Sequence, residues 1–196
     1  MGYLSEKDLD EIGGAVRILP ISSDEIDDIE QYVFDCGKAS EYEAFLKEKA
    51  MVLDELCVSK TFLMIHRETQ ELIGYFSLAT DTIKLTVEEK NDAELGDVQF
   101  MSLPALKVGK LAVNRCLSDK AKRKGYGSFA LDMATSYAYE LNELGVACRF
   151  LTVDADIEYY KETPNFYLKN GFVYNLSRKK RSSDRTISMR KDIFTD

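Results

Sequence analysis

The stretch Lys122-Arg123-Lys124-Gly125-Tyr126-Gly127-Ser128 sets cations and glycines just ahead of a long amphipathic segment that opens at Phe129. An apolar run ending Lys110-Leu111-Ala112-Val113 precedes it. A strand, a basic glycine loop and a helix start, in that order, bring free backbone N–H groups and the positive end of a helix dipole to one point. That arrangement suits an anion, and the chemistry it implies is the holding of phosphate.

Known phosphate loops narrow the choice. A Walker loop needs Gly-x-x-x-x-Gly-Lys-Ser/Thr, which no stretch supplies, so nucleotide hydrolysis is not expected. A dinucleotide fingerprint needs Gly-x-Gly-x-x-Gly; Gly125-Tyr126-Gly127-Ser128-Phe129-Ala130 ends in Ala, sits late in the chain and has no repeated βαβ context around it. The dinucleotide reading stays open only weakly on these residues.

The elements that must position the loop follow from periodicity and turn chemistry. Residues 1–14 are polar and acidic and read as an arm. Ala15–Pro20 reads as a strand and Asp24 to Phe34 as a helix, because Ile26, Ile29 and Val33 recur at helical spacing. A second helix is expected from Ser40 to Leu56. Thr61–Ile65 and Leu72–Ala79 form an antiparallel hairpin around polar Arg67–Glu71, with His66 at the exit of its first strand. Ile83–Val87 reads as a short strand within the acidic excursion of residues 80–104. Ala105–Val113 is a central strand, in which Gly109 marks a bulge or a close backbone approach.

Beyond the loop, Phe129, Met133, Tyr137, Leu141 and Leu144 mark one face of a helix that Gly145 caps. Val146–Val153 is then a buried strand parallel to the one before the helix. A late helix from Pro164 to Lys169 closes at Asn170-Gly171. Phe172–Tyr174 and Thr186–Met189 end the chain as a hairpin around the basic turn Arg178–Arg181.

Composition bounds the rest. A chain of 196 residues with a net charge of −8 has no general attraction for nucleic acid or anionic membrane, so nucleic acid is not expected as a partner. Cys36, Cys57, Cys116 and Cys148 form no Cys-x-x-Cys pair and His66 is the sole histidine, so no metal site is expected. No apolar run reaches the roughly 20 residues of a bilayer span. With no signal-peptide pattern either, a soluble cytoplasmic protein is expected.

The run from Leu111 to Phe172 resembles the GNAT superfamily of N-acetyltransferases. Lys122-x-x-Gly125-x-Gly127 stands where that family has Gln/Arg-x-x-Gly-x-Gly/Ala, and Phe166-Tyr167-Leu168-Lys169-Asn170-Gly171-Phe172 matches its late helix and strand start. The early helices and the hairpin at Ile73-Gly74-Tyr75-Phe76 fit as well, so the resemblance covers roughly residues 15–194. Lys122 departs from the usual Gln or Arg, and Cys116–Ala121 lengthens the approach to the loop.

The resemblance implies an α/β fold of layered α+β type: a mixed, mainly antiparallel sheet with a central splayed parallel strand pair and about four helices. It implies an arm at 1–14 and one N-acetyltransferase domain at 15–196. Acetyl-CoA is the implied cosubstrate, without metal, and the acceptor a primary amine attacking directly in a ternary complex. Leu111, Ala112 and Val113 would pair with pantetheine, with an N–H near Val113 polarising the thioester carbonyl. The amides from Arg123 through Lys124, Gly125, Tyr126 and Gly127 to Ser128 would take the diphosphate, with Lys120, Lys122, Arg123 and Lys124 supplying charge. Asn165 would touch the pantetheine. Tyr167 would protonate the departing thiolate, although a tyrosine beside Phe166 also reads as core packing. Asp154, Asp156 or a water relay would take the amine's proton.

A tRNA-acetylating toxin of the same fold is the more specific alternative, because Leu103–Val113 and the linker before it resemble that subgroup. A non-catalytic acyl-CoA-binding module is the other. The last hairpin could also pair across a homodimer.

Overall fold

The computed structural model describes residues 4–177 and 184–195. The basic turn Arg178–Arg181 lies outside the described residues. The strands are β1 (Val16–Pro20), β2 (Lys60–His66), β3 (Leu72–Ile83), β4 (Leu103–Val113), β5 (Phe150–Asp156), β6 (Val173–Tyr174) and β7 (Thr186–Asp192). They join a seven-stranded, mainly antiparallel sheet in the order β1-β2-β3-β4-β5-β7-β6, with β4 and β5 as its parallel pair. The helices are α1 (Glu6–Ala15), α2 (Ser40–Ala44), α3 (Ala50–Glu55), α4 (Val87–Asp92), α5 (Tyr126–Glu143) and α6 (Thr163–Lys169). Contacts gather the chain into two compact units, Leu4–Ala79 with Val108–Asp132, and Thr80–Lys107 with Met133–Asp196.

In the first unit, Ser5 starts α1 through a capping box, its hydroxyl accepting from Asp8 N–H at 3.2 Å while the Asp8 carboxylate accepts from Ser5 N–H at 3.3 Å. Ile12 on that helix is fully buried. β1 and β2 pair antiparallel from Val16↔His66 to Pro20↔Phe62, and β2 pairs β3 from Lys60↔Leu78 with a bulge at Met64/Ile65. A π turn over Phe45–Lys49 joins α2 to α3, and Ala50 N–H accordingly donates to Phe45 O. Asp54 near the end of α3 is buried and takes Lys60 Nζ at 2.8 Å and Thr61 N–H at 3.2 Å, which fixes the helix to the start of β2.

In the second unit, Thr86 and Glu89 form the capping box of α4, and Ala93 packs with Ile83, Leu103, Ala105 and Phe150 in one apolar cluster. β5 and β7 pair antiparallel from Phe150↔Asp192 to Asp156↔Thr186, and β6 adds Val173↔Arg190 and Tyr174↔Met189. Arg149 N–H donates to Pro104 O at 3.0 Å, joining the starts of β5 and β4. Glu89 and Arg190 form a buried ion pair of 2.6 Å. Further bonds to the pair come from Thr86 N–H at 2.7 Å and Leu176 N–H at 2.8 Å on the carboxylate, and from the guanidinium to Tyr174 O at 2.7 Å.

Several local expectations give way to particular interactions. The helix expected over Asp24–Phe34 is only a 3-10 turn at Ile29–Gln31, and Val33 is exposed. Ser23 Oγ accepts from Glu25 N–H at 3.3 Å and Asp28 Oδ1 from Glu30 N–H at 2.8 Å, local bonds that compete with the helical ladder. The stretch read as an arm contains α1. The short strand expected at Ile83–Val87 is replaced by the end of β3 and by Thr86 capping α4. β5 starts at Phe150 rather than Val146, because Asn142 holds the Cys148 backbone on both sides, at 2.8 Å to its O and 3.1 Å from its N. Leu144, expected on the apolar face of the long helix, falls beyond Glu143 and is exposed.

Removing one partner of a desolvated pair leaves the other charge buried. Glu89→Ala is expected to lower unfolding free energy by about 3–5 kcal/mol in urea titration, and Glu89→Leu with Arg190→Met by clearly less.

Candidate active site

The glycine loop belongs to the first unit and is built from both flanks. Ser118 donates from its N–H to Glu71 Oε1 at 2.8 Å and from its hydroxyl to Glu71 Oε2 at 2.6 Å. These bonds hold the Glu71 carboxyl below its usual range. The N–H groups of Ala121 and Lys122 then turn back to Ser118 O at 3.1 and 2.9 Å. Tyr126, itself buried, donates its hydroxyl to Ala121 O at 2.7 Å and closes the loop over Ala121–Tyr126. These bonds order the lengthened approach that the sequence carries.

Gly125 sits at φ +102°, a conformation L side chains rarely adopt. A Cβ there would lie 2.9 Å from Leu4 Cδ2 and 3.2 Å from Ile12 Cδ1. Phe129 N–H donates to Gly125 O at 2.9 Å, so the first turn of α5 begins directly from the turn. The first-turn amides at Tyr126, Gly127 and Ser128 have no helical acceptor and are the donors an anion would use.

The cations divide. Lys120 pairs with Glu68, and Arg123 with Asp8 at 3.3 Å and Glu11 at 3.0 Å. Lys122 and Lys124 are exposed and have no carboxylate partner among the described residues.

The outer half of β4 carries Leu111, Ala112 and Val113 in the same unit. Gly74 lets β3 come close: a Cβ there would stand 2.4 Å from Ala112 O. Gly109 meets the expectation of close approach, with a Cβ position 3.2 Å from Ser77 Oγ, which accepts from Lys110 N–H at 2.9 Å. Lys110 Nζ reaches Glu41 at 3.2 Å and sits 4.3 Å from the centre of the Tyr42 ring.

Asn114 ends the strand and was not singled out by sequence. It is buried, its Nδ2 donates to Val33 O at 2.7 Å and Leu72 O at 2.9 Å, and its Oδ1 accepts from Asp35 N–H at 3.1 Å and Cys116 N–H at 3.0 Å. Every polar position of the amide is used. An amide immediately after an apolar strand is the available signal, though one shared with ordinary turns.

Tyr167 and Asn165 lie on α6 in the second unit. Asn165 is exposed and bonded to Glu162. Tyr167 is buried between Phe166 and Phe172, with ring centres at 5.1 and 5.4 Å in edge-on arrangement. Nothing among the described residues hydrogen-bonds its hydroxyl. Burial first, and the Asp156 carboxylate second, push the phenol's pKa well above its ordinary value, so it stays protonated. Asp156 Oδ1 accepts from Glu158 N–H at 2.8 Å, while Asp154 Oδ2 is paired with Lys107 Nζ at 2.6 Å. Asp154 and Lys107 line a cleft of about 380 Å³ together with Asp81, Thr152, Ser177 and Ser188. Thr152 Oγ1 donates to Asp81 Oδ2 across it at 2.6 Å.

Other polar candidates have local roles. His66 is buried at the hairpin, its Nδ1 within 3.2 Å of Thr69 N. The Cys36 thiol is pushed up to about 12 by burial, with Glu43 and Asp35 adding to it. Among the described residues no group of three or more His, Cys, Asp or Glu gathers to hold a metal, and no helix is long and apolar enough to cross a membrane.

This architecture is the GNAT fold. A tyrosine-to-phenylalanine mutant of KacT matches 89% of this chain and 94% of its own at 17% identity, with a TM-score of 0.67. AtaT complexed with acetyl-methionyl-tRNAfMet matches 88% and 93% at 16% identity and a TM-score of 0.66. AtaTR bound with AcCoA matches 89% and 93% at 17% identity and a TM-score of 0.63. No protein-family profile matches the chain. Likeness at this level establishes the fold, and the tRNA complex lends no support to the expectation that nucleic acid is absent as a partner.

Because Gly125 combines positive φ with close packing, Gly125→Ala is expected to destabilise the protein by about 1 kcal/mol or more, read as a lowered midpoint in chemical denaturation.

Proposed function

We propose that the protein is an acetyl-CoA-dependent N-acetyltransferase that moves an acetyl group to a primary amine by direct attack. The observation that carries this reading is the Tyr167 hydroxyl: buried, kept protonated and without a hydrogen-bond partner among the described residues, on the helix where the GNAT resemblance calls for an acid. The GNAT fold and the ordered glycine loop support it.

In the proposed reaction the amine nitrogen attacks the thioester carbonyl carbon, and a tetrahedral oxyanion forms. An N–H near Val113 polarises that oxygen. Collapse breaks the C–S bond, the sulfur takes the Tyr167 proton, and the ammonium proton leaves through water or through Asp156. Asp154, the other candidate, is already held by Lys107 Nζ at 2.6 Å. The diphosphate rests on the amides of Gly125 to Ser128, with Lys122 and Lys124 as its free cations. Asn165 is assigned to the pantetheine. An aminoacyl-tRNA amine is the second acceptor reading, favoured by the AtaT complex with acetyl-methionyl-tRNAfMet.

The test is acetyl-CoA turnover against amines, polyamines, peptides and aminoacyl-tRNA. Tyr167→Phe is expected to lower kcat about 10²–10⁴-fold while CoA affinity holds; unchanged kcat would remove Tyr167 as the acid. No turnover with any acceptor, despite CoA binding, would favour a binding module.

The pH dependence follows from the sign of the shift. The raised folded pKa means that the phenol gives no falling limb in kcat below about pH 10. The stability contributed by keeping it neutral is complete below the unfolded tyrosine value of about 10 and declines above it. Wild type is therefore expected to lose stability relative to Tyr167→Phe in alkaline denaturation curves.

A further inference from the structure

The atoms nearest to a Cβ placed on Gly125 come from the amino-terminal segment. Leu4 and Ile12 occupy the space that a Cβ on Gly125 would need, at 2.9 and 3.2 Å. Gly13 sits close enough that its Cβ would touch Phe129 Cε2 at 3.8 Å, in the first turn of α5. Arg123 is drawn to the same helix, one guanidinium nitrogen serving Asp8 Oδ1 at 3.3 Å and Glu11 Oε2 at 3.0 Å. Asp8 is the acid that caps α1, and its carboxyl is lowered by the Ser5 hydroxyl and amide first and by Arg123 after them. Loop, helix cap and Arg123 therefore share one carboxylate.

This arrangement separates Arg123 from its neighbours in the basic run. Lys122 and Lys124 stay exposed without carboxylate partners among the described residues, whereas Arg123 faces two acids that a phosphate group would have to displace. An anion brought to that guanidinium would also meet repulsion from Asp8 and Glu11. The side chain is thus better employed in holding the loop than in contacting the ligand.

We infer that α1 is the back wall of the glycine loop, that Arg123 is its strap rather than a ligand of the diphosphate, and that acyl-CoA binding is coupled to the seating of α1. The inference rests on the acyl-CoA reading above. Arg123 is then a positioning residue: it acts through the backbone of Lys124–Gly125, whose left-handed turn aims the following amides. Because coupling is reciprocal, ligand on the amides steadies α1 as much as α1 prepares the amides.

The test uses the full chain, with CoA itself as the probe, read by calorimetry and by hydrogen exchange of the α1 amides. Asp8→Asn with Glu11→Gln, and separately Arg123→Gln, are each expected to weaken CoA binding by about 3- to 10-fold, the range set by one or two surface ion pairs. The combined triple variant is expected to be no weaker than either, because all three residues serve one contact. Exchange of the α1 amides is expected to quicken in both variants and to slow in wild type on adding CoA. Lys122→Ala should weaken CoA binding without changing α1 exchange. The inference is overturned if wild type binds CoA while neutralising Asp8 and Glu11 tightens binding, as release of a phosphate ligand would, or leaves it unchanged. A wild type that binds no CoA at all instead overturns the acyl-CoA reading, and the coupling with it.

Discussion

A left-handed turn at Gly125 decides where the donors of the candidate phosphate site point. Its φ of +102° directs the chain from the loop into α5, and only glycine reaches that value without strain while leaving room for Leu4 and Ile12. The turn has little hydrogen bonding of its own, so its precision comes from what surrounds it. Tyr126 closes the loop on the Ala121 carbonyl, Glu71 anchors its approach through Ser118, and α1 fills the space behind. A flexible glycine would be a poor scaffold for convergent amides; a packed one supplies them already oriented.

Elsewhere, buried polar groups bonded to several elements fix particular joints. Asn114 holds the end of β4 to the backbone on either side, and the Glu89–Arg190 pair ties α4 to β7. Buried polar groups are costly to leave unpaired, which makes such bonds specific rather than merely stabilising. The ion pairs around Arg123 differ, being one-third to one-half exposed and individually weak. Their part is to select one loop geometry, with apolar burial of Ile12 supplying most of the adhesion.

The order of strands was legible because strand and turn signals are local: alternating apolar runs, Asn170-Gly171 and Gly145 all stand where periodicity ends. The glycine loop stood out by its residue types, whereas Phe166-Tyr167 stood out only through the family resemblance, because a tyrosine beside a phenylalanine on a helix reads equally as core. Asp24–Phe34 misled because apolar spacing says nothing about Ser23 and Asp28 binding their own neighbouring amides. Residues 1–14 misled in the opposite sense: their acidity suggests solvent, yet Ser5-x-x-Asp8 is a cap and those acids face Arg123. Asn114 could not be read at all, since its partners Val33 and Asp35 are roughly eighty residues away in the chain.

The charge balance takes on a local meaning in this light. A net charge of −8 disfavours an anionic ligand on average, but at a Debye length of about 8 Å only nearby groups count for an exposed site. Near the loop, Lys120 and Arg123 are already matched by Glu68, Asp8 and Glu11, so the basic run is less positive than its composition suggests. Lys122 and Lys124 are left, together with the amides at the start of α5. Under the acyl-CoA proposal, selection of ligand would depend less on charge than on the geometry of fixed backbone donors, which would discriminate by the shape of a diphosphate. On that proposal an acidic protein would hold one polyanion while repelling most others, and the packing of Leu4 and Ile12 against Gly125 would be what fixes the donors for it.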